Sequence, residues 1–264
     1  MKNTQINCNA PYQDTDNTIF RKGLSTAKFP ESWQAGDDYA FEVIMENITK
    51  YGLHPEHLEG ADMGAGTGTW SLRLAEHFKK IIAVEPDSRQ LDHLKTNVNN
   101  NQFAAEKISI FQSSIQNFEY NSKFQFILCS HIIQHLPKMD VEAIFKKLHD
   151  MLQTHGILVI FTTHSRQPYN KFLIQHSHDE EYVSEEKFEQ SFNSFNDSNQ
   201  LCFQTHKYSR EYLFTLLENS GFEILDDRIY HIPSAPAGAE REMNADTKTK
   251  EKNGMDQIVI CTKL

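Results

Sequence analysis

Residues 60–68 read Gly-Ala-Asp-Met-Gly-Ala-Gly-Thr-Gly, and Glu85-Pro86-Asp87 follows about one strand–helix unit later. A short apolar segment that breaks into closely spaced glycines marks a strand ending in a turn. Glycine carries no Cβ and tolerates positive φ, so such a turn lets the backbone pass close to a ligand. An acid at the tip of the next strand is placed to accept two hydrogen bonds from a ribose diol, the role Glu85 offers. Together the two motifs predict an α/β chain that holds a nucleoside-bearing molecule.

The glycine spacing narrows the choice. Gly64, Gly66 and Gly68 follow a G-x-G-x-G rhythm, whereas the dinucleotide fingerprint needs a third glycine at position 69, where Thr69 stands. That glycine lets a helix pack closely beneath a pyrophosphate, so its absence argues for a cofactor without a diphosphate. S-adenosylmethionine fits: its amino-acid tail and sulfonium would lie over the loop, and Asp62 beside Gly64 would compensate cationic groups.

The rest of the chain supplies the sheet that such a turn requires. Strands are predicted at Leu58–Met63, Lys80–Glu85, Lys107–Gln112, Phe124–Ser130 and Gly156–Thr162. Helices are predicted over 37–51, where Phe41, Ile44, Met45 and Ile48 recur at helical spacing, and over 70–79, 88–99 and 141–152. Alternation at this pitch implies right-handed crossovers and a parallel sheet covered on both faces, with ligands at the carboxyl ends of its strands. Two segments interrupt the pattern. Residues 165–206 separate one strand from the helix Ser209–Ser220, too long for an ordinary connection, and are read as a helical cap over the substrate pocket. Residues 233–254 split the strand Phe222–Ile232 from the last strand, Gln257–Thr262, and are read as a mobile loop. Residues 1–55 are expected to form an N-terminal arm and helix closing the cofactor site, and 56–264 the core.

Charge and composition exclude several classes. The net charge of −10 and the absence of a Lys/Arg cluster count against nucleic acid, because neutralising phosphates takes clustered cations. No apolar run approaches the ~20 residues of a membrane helix. The first residues, Met1-Lys2-Asn3-Thr4, lack the apolar stretch of a signal peptide, and Cys8, Cys129, Cys202 and Cys261 are scattered. A cytoplasmic protein with free thiols, monomeric or homodimeric, is the expectation.

The chain resembles the class I, Rossmann-like, adenosylmethionine-dependent methyltransferases from about Glu59 onward. The resemblance rests on Asp62–Gly68, on Val84-Glu85-Pro86, on Ser113-Ser114-Ile115-Gln116-Asn117-Phe118, on Cys129–Pro137 and on Leu152-x-x-x-Gly156 before an apolar strand. It implies a doubly wound seven-stranded, mostly parallel sheet with the last strand antiparallel. It also implies cofactor contacts from Asp62, Gly64, Ala65, Gly66, Glu85 and Pro86, adenine contacts from Ser114, Ile115 and Gln116, and a methionine tail lined by Cys129 and Ser130. Relatives often place an Arg after the third glycine to grip the cofactor carboxylate. Thr69 and Trp70 stand there instead, leaving Arg21, Lys22 or Arg73 to take that contact, Arg21 foremost.

His131 and His135 lie four residues apart just past the fourth strand, so a helical turn there would put both on one face towards the pocket. Both are candidates for an acceptor-side or proton-taking role, His135 first. His131-x-x-Gln134-His135 falls where some relatives carry a divalent-metal motif, with His164 able to complete a three-histidine set, and His176-Ser177-His178 is a second such run. Histidine and glutamine have replaced both acids that a hard Mg2+ would prefer, and no metal is assigned. The sequence thus reads as a methyltransferase acting on N or O of a small-molecule acceptor. Its rivals are a protein or peptide N-methyltransferase and a non-catalytic adenosylmethionine-binding protein.

Overall fold

The computed structural model describes residues 31–176, 179–194, 202–231 and 252–264 of the 264-residue chain. Arg21, Lys22, His178 and nearly all of the 233–254 loop lie outside the described residues.

The chain enters through a long helix, α1 (Glu31–Lys50), and then alternates: β1 (Glu59–Met63), α2 (Thr69–Ala75), β2 (Lys80–Val84), α3 (Ser88–Asn99), α4 (Gln102–Lys107), β3 (Ile108–Phe111) and β4 (Phe124–Ser130). A short 3-10 turn, Ile133–His135, leads into α5 (Lys138–Met151) and β5 (Leu152–Thr163). After the insertion come α7 (Arg210–Asn219), β9 (Phe222–Tyr230) and β10 (Asp256–Lys263). The main sheet has seven strands in the order β3-β2-β1-β4-β5-β10-β9. β10 runs antiparallel to both neighbours, β5 and β9. The order reverses between β1 and β4, the point where doubly wound sheets open a crevice for ligands.

Covering both faces explains why the central strands read as near-continuous apolar runs. On one side α1, α2 and α3 bury Ile44, Leu74 and Leu94 against Ile81, Phe126 and Val159; on the other, α5 and α7 bury Phe145 and Leu217 against Ile82, Ile127 and Ile160. Each large apolar side chain fully withdrawn from water contributes about 1.5–3 kcal/mol. Caps set the helix starts: the Asp87 carboxylate accepts from the N–H groups of Arg89 and Gln90, and Ser209 accepts from Tyr212.

The insertion departs from expectation. It holds one helix, α6 (Glu185–Ser194), but it is built around an antiparallel sheet of β6 (Lys171–His176), β7 (Asp179–Val183) and β8 (Cys202–Lys207), ordered β7-β6-β8. Phe172, Leu173 and Ile174 give β6 buried side chains, and Phe188 of α6 packs on the Phe172 ring at 5.1 Å. Beside Leu173 and Ile174, the packed rings of Phe172, Phe188 and His206 bury enough surface to hold a small sheet. β5 also begins at Leu152, before Gly156. A register shift and the positive φ of His155 accommodate the polar residues 153–155 that sequence patterning leaves outside the strand.

Candidate functional site

The turn after β1 has three glycines with positive φ: Gly64 (+81°), Gly66 (+55°) and Gly68 (+91°). Their reasons differ. A side chain at Gly64 would run into Ile132 and one at Gly68 into Leu94, whereas at Gly66 it would meet nothing within 4 Å. Gly66 therefore bares its backbone to open space. Its N–H donates to Glu85 Oε2 at 2.8 Å, and Glu85 Oε1 accepts from the Asp87 N–H at 2.9 Å. One buried carboxylate thus joins the β1 and β2 tips. Burial pushes its pKa up to about 7, against the pull of those two N–H groups. Gly64 and Ala65 both donate to the Val84 carbonyl, fixing the turn against the same strand.

Asp62 sits beneath the turn, fully buried. Its Oδ2 accepts from Ser71 Oγ at 2.5 Å, its Oδ1 has no hydrogen-bond partner among the described residues, and burial raises its pKa to about 6. Pro86 is half-buried beside Glu85. Ser114 and Gln116 are half-buried on the turn after β3, whereas Ile115 is buried among Phe118 and Phe124. Ser130 is half-exposed at the β4 tip. Cys129 is a correction to the expected tail-lining thiol: it faces the sheet's apolar side, and burial pushes its pKa up to about 12.

The two histidines do not share a face. His131 takes a positive φ of 56°, so the chain turns before the 3-10 segment begins. Its Nδ1 lies 3.3 Å from Gln134 Nε2, and Gln134 Oε1 accepts from the Thr162 hydroxyl. That orientation makes Nδ1 the acceptor and leaves the ring proton on Nε2, 3.4 Å from the Tyr230 hydroxyl. His135 turns the other way, towards the insertion, where its buried Nδ1 donates to the Gln204 carbonyl of β8 at 2.7 Å. Burial lowers its pKa to about 4. The base expected at His135 is thus a neutral ring whose Nδ1 proton is committed to the cap. His164, also buried, bridges to Tyr208, and among the described residues no set of three or more His, Cys, Asp or Glu is gathered for a metal.

Sequence reasoning named Trp70 and Arg73 but missed the other residues that the fold brings to the same rim. Trp70 of α2 packs edge-on to Phe161 of β5 at 4.8 Å, and Phe161 lies 5.9 Å from the Tyr230 ring. His231, just past β9, donates from Nδ1 to Asp256 Oδ2 at 2.6 Å, and its Nε2 is 3.7 Å from Asp37 Oδ1 of α1. Arg73 ties α1 to α2 by donating to the Asp37 carbonyl and pairing with Asp38. The one available signal was Gly36, set before two acids near a helix start: a side chain there would collide with the His231 ring.

A family model described as a methyltransferase domain matches residues 37–227, most of the chain. The chain belongs to the methyltransferase-domain family. It is 26% identical over 122 residues to a ubiquinone biosynthesis O-methyltransferase of Rickettsia akari, a match covering 46% of this chain and 47% of that protein. The chain thus spans about half the length of the curated relatives it matches. Among solved structures, it is similar to the magnesium protoporphyrin IX methyltransferase of Synechocystis PCC 6803 with bound adenosylmethionine, with a TM-score of 0.61 at 10% identity, covering 97% of this chain and 94% of that one. It is also similar to an adenosylmethionine-dependent methyltransferase from Clostridium acetobutylicum, with a TM-score of 0.59 at 13% identity, covering 92% and 96%. At these identities the likeness is one of fold. Within that fold, no helix of the described residues is long and apolar enough to cross a membrane.

Proposed function

We propose that the chain is an adenosylmethionine-dependent methyltransferase that methylates N or O of a small molecule. The observation that carries this reading is the bare backbone at Gly66 bonded to the Glu85 carboxylate. Each Glu85 oxygen accepts a single backbone N–H and keeps capacity for another donor, so a ribose diol can be gripped without breaking either bond. The raised pKa of Glu85 favours the same reading, because donors from a ligand would stabilise its ionised form.

In this reading Gly64, Ala65 and Gly66 hold the amino-acid tail, Glu85 and Pro86 the ribose, Ser114, Ile115 and Gln116 the adenine, and Ser130 borders the reacting end; Arg21 is proposed for the tail carboxylate. The bound cofactor supplies a methyl group on a positively charged sulfur. The protein's own part is then to orient the acceptor and to take a proton where the acceptor carries one. His131, fixed by Gln134 and Tyr230, orients the acceptor at the β4 tip. His135 anchors the cap through Gln204 and so keeps water from the site. The acidic composition supports action on small molecules without nucleic acid.

Calorimetry with adenosylmethionine and its demethylated product tests the reading. Both should bind the wild type, and Gly66→Val should abolish binding while the chain stays folded. Failure of the wild type to bind either would overturn the cofactor assignment. Transfer of tritiated methyl from the donor into the small-molecule fraction of an extract supports the acceptor class; label confined to protein would refute it.

A further inference from the structure

The rim at β4, β5, β9 and β10 carries a polar network that the proposed cofactor contacts do not include. His231 and Asp256 form a buried pair through Nδ1, which leaves Nε2 as the ring nitrogen nearest Asp37. Asp37 differs from its neighbours. Among the described residues its carboxylate accepts no hydrogen bond and its one close ionic contact is His231 Nε2 at 3.7 Å, and it is 26% exposed. Arg73, the permanent cation that acts on Asp37 among the described residues, is engaged by the Asp37 carbonyl and the Asp38 carboxylate.

Two further observations point at the same place. His131 and His231 both hold left-handed backbone, with φ of 56° and 52°, a conformation that costs a non-glycine residue about 1–3 kcal/mol and gathers at functional sites. The titratable and charged groups acting on Asp37 come from four directions: His231 after β9, His131 after β4, Arg73 on α2 and Asp256 on β10. Burial, with Asp256 acting in the same direction, outweighs the other three and lifts its pKa. A carboxylate in that state gains most from an incoming cation. Trp70, the partly exposed end of the aromatic chain Trp70–Phe161–Tyr230, borders the same rim, and ring faces favour ammonium groups.

We propose that Asp37, backed by the His231–Asp256 pair, is the acceptor-binding carboxylate of the methyltransferase site, and that the acceptor it takes is a small amine bound as its ammonium. This rests on the function proposed above and sharpens it from N or O to N. In the step assigned to Asp37, an N–H bond of the ammonium breaks, its electron pair stays on nitrogen as the nucleophilic lone pair, and the proton goes to an Asp37 oxygen. Ammonium and carboxylate become amine and carboxylic acid, so charge and atoms balance. His231 and Asp256 are positioning residues that set the proton affinity of Asp37.

The test uses the full chain saturated with the demethylated cofactor, and calorimetry with matched pairs: benzylamine and benzyl alcohol, phenethylamine and phenethyl alcohol, tryptamine and tryptophol. At least one amine should bind about tenfold or more tightly than its alcohol. Asp37→Asn should erase that preference while changing affinity for the demethylated cofactor less than about twofold, and Asp37→Glu should restore part of it. His231→Gln should move the pH dependence of amine binding rather than abolish binding. Alcohols binding as tightly as amines, no amine binding at all, or a preference that survives in Asp37→Asn would overturn the inference; an unmoved pH dependence would remove His231 from it. Loss of demethylated-cofactor binding by the wild type would instead overturn the methyltransferase reading itself.

Discussion

Around the glycine turn, the proposed donor contacts come from backbone of one short stretch of chain plus a single carboxylate, whereas around the proposed acceptor rim they come from side chains of α1, α2, β4, β5, β9 and β10. The first arrangement is local: Gly64, Gly66 and Gly68 lie within a few residues of one another, and Glu85 is one strand away. The second exists only once the sheet has formed, since Asp37, His131, His231 and Asp256 meet across the whole chain. Substitutions should therefore act differently on the two regions.

The largest effect is expected at Gly64→Val. Positive φ and collision with Ile132 together predict a loss of about 3–5 kcal/mol in urea unfolding, against about 1–2 kcal/mol at Gly66→Val, where only φ is strained. Equal losses at the two positions would erase the distinction between a glycine required by packing and one required by a ligand. Next, Glu85→Gln should weaken cofactor binding about 10–100-fold at pH 8 by calorimetry, while leaving the acceptor rim intact.

Acid should separate the two regions by sign. Glu85 has a pKa raised from 4.5 to about 7, and Asp62 one raised from 3.8 to about 6, so the native donor side binds protons that the unfolded chain releases. Its contribution to stability falls as pH rises through those windows, and Glu85→Gln should flatten the 4.5–7 part. His135 and His206 are pushed down from 6.5, to about 4 and about 3, so the unfolded chain takes up protons that the native cap refuses. Stability from the cap is full above about 6.5 and is lost as pH falls towards 4. Hydrogen exchange compared at pH 7 and pH 4.5 should show β6 and β8 amides losing protection relative to β1 and β2. A uniform change across both sheets would refute the separation.

Smaller effects belong to the seam. His135→Gln should destabilise the cap by about 1–2 kcal/mol through loss of the bond to Gln204, read as faster β8 exchange. Glu189→Ala should do so by about 0.5–1 kcal/mol, since the Glu189 carboxylate caps α5 from across the seam by accepting from the Lys138 N–H at 3.1 Å.

Much of the architecture was legible because its signals are short-range. Glycines, the Glu85-Pro86-Asp87 turn and apolar runs such as Phe124–Ser130 each report on their own neighbourhood, and the seven strands follow from them. The acceptor rim was not legible, for an equally physical reason. Asp37 looks like any solvated acid on an amphipathic helix until His231 is placed beside it, and His231 and Asp256 pair only through a hairpin whose strands are separated by a long polar stretch. His135 misled in the opposite direction: its spacing from His131 suits a helical face, but the left-handed residue at 131 redirects the chain. The cap strands escaped notice because their buried side chains mix Leu173 and Ile174 with the rings of Phe172 and His206, on which Tyr208 stacks, so no aliphatic alternation marks them.

The two ends of the insertion lie side by side. Ser165 donates to the Tyr208 carbonyl at 2.9 Å and Tyr208 donates to the Thr163 carbonyl at 3.0 Å, so the chain leaves the sheet and returns to it at one spot. Bringing those ends together needs no long-range closure beyond what these backbone bonds already supply. The cap is thus a cassette set into one point of the main sheet: the length of chain between Thr163 and Tyr208 does not enter the spacing of the strands on either side.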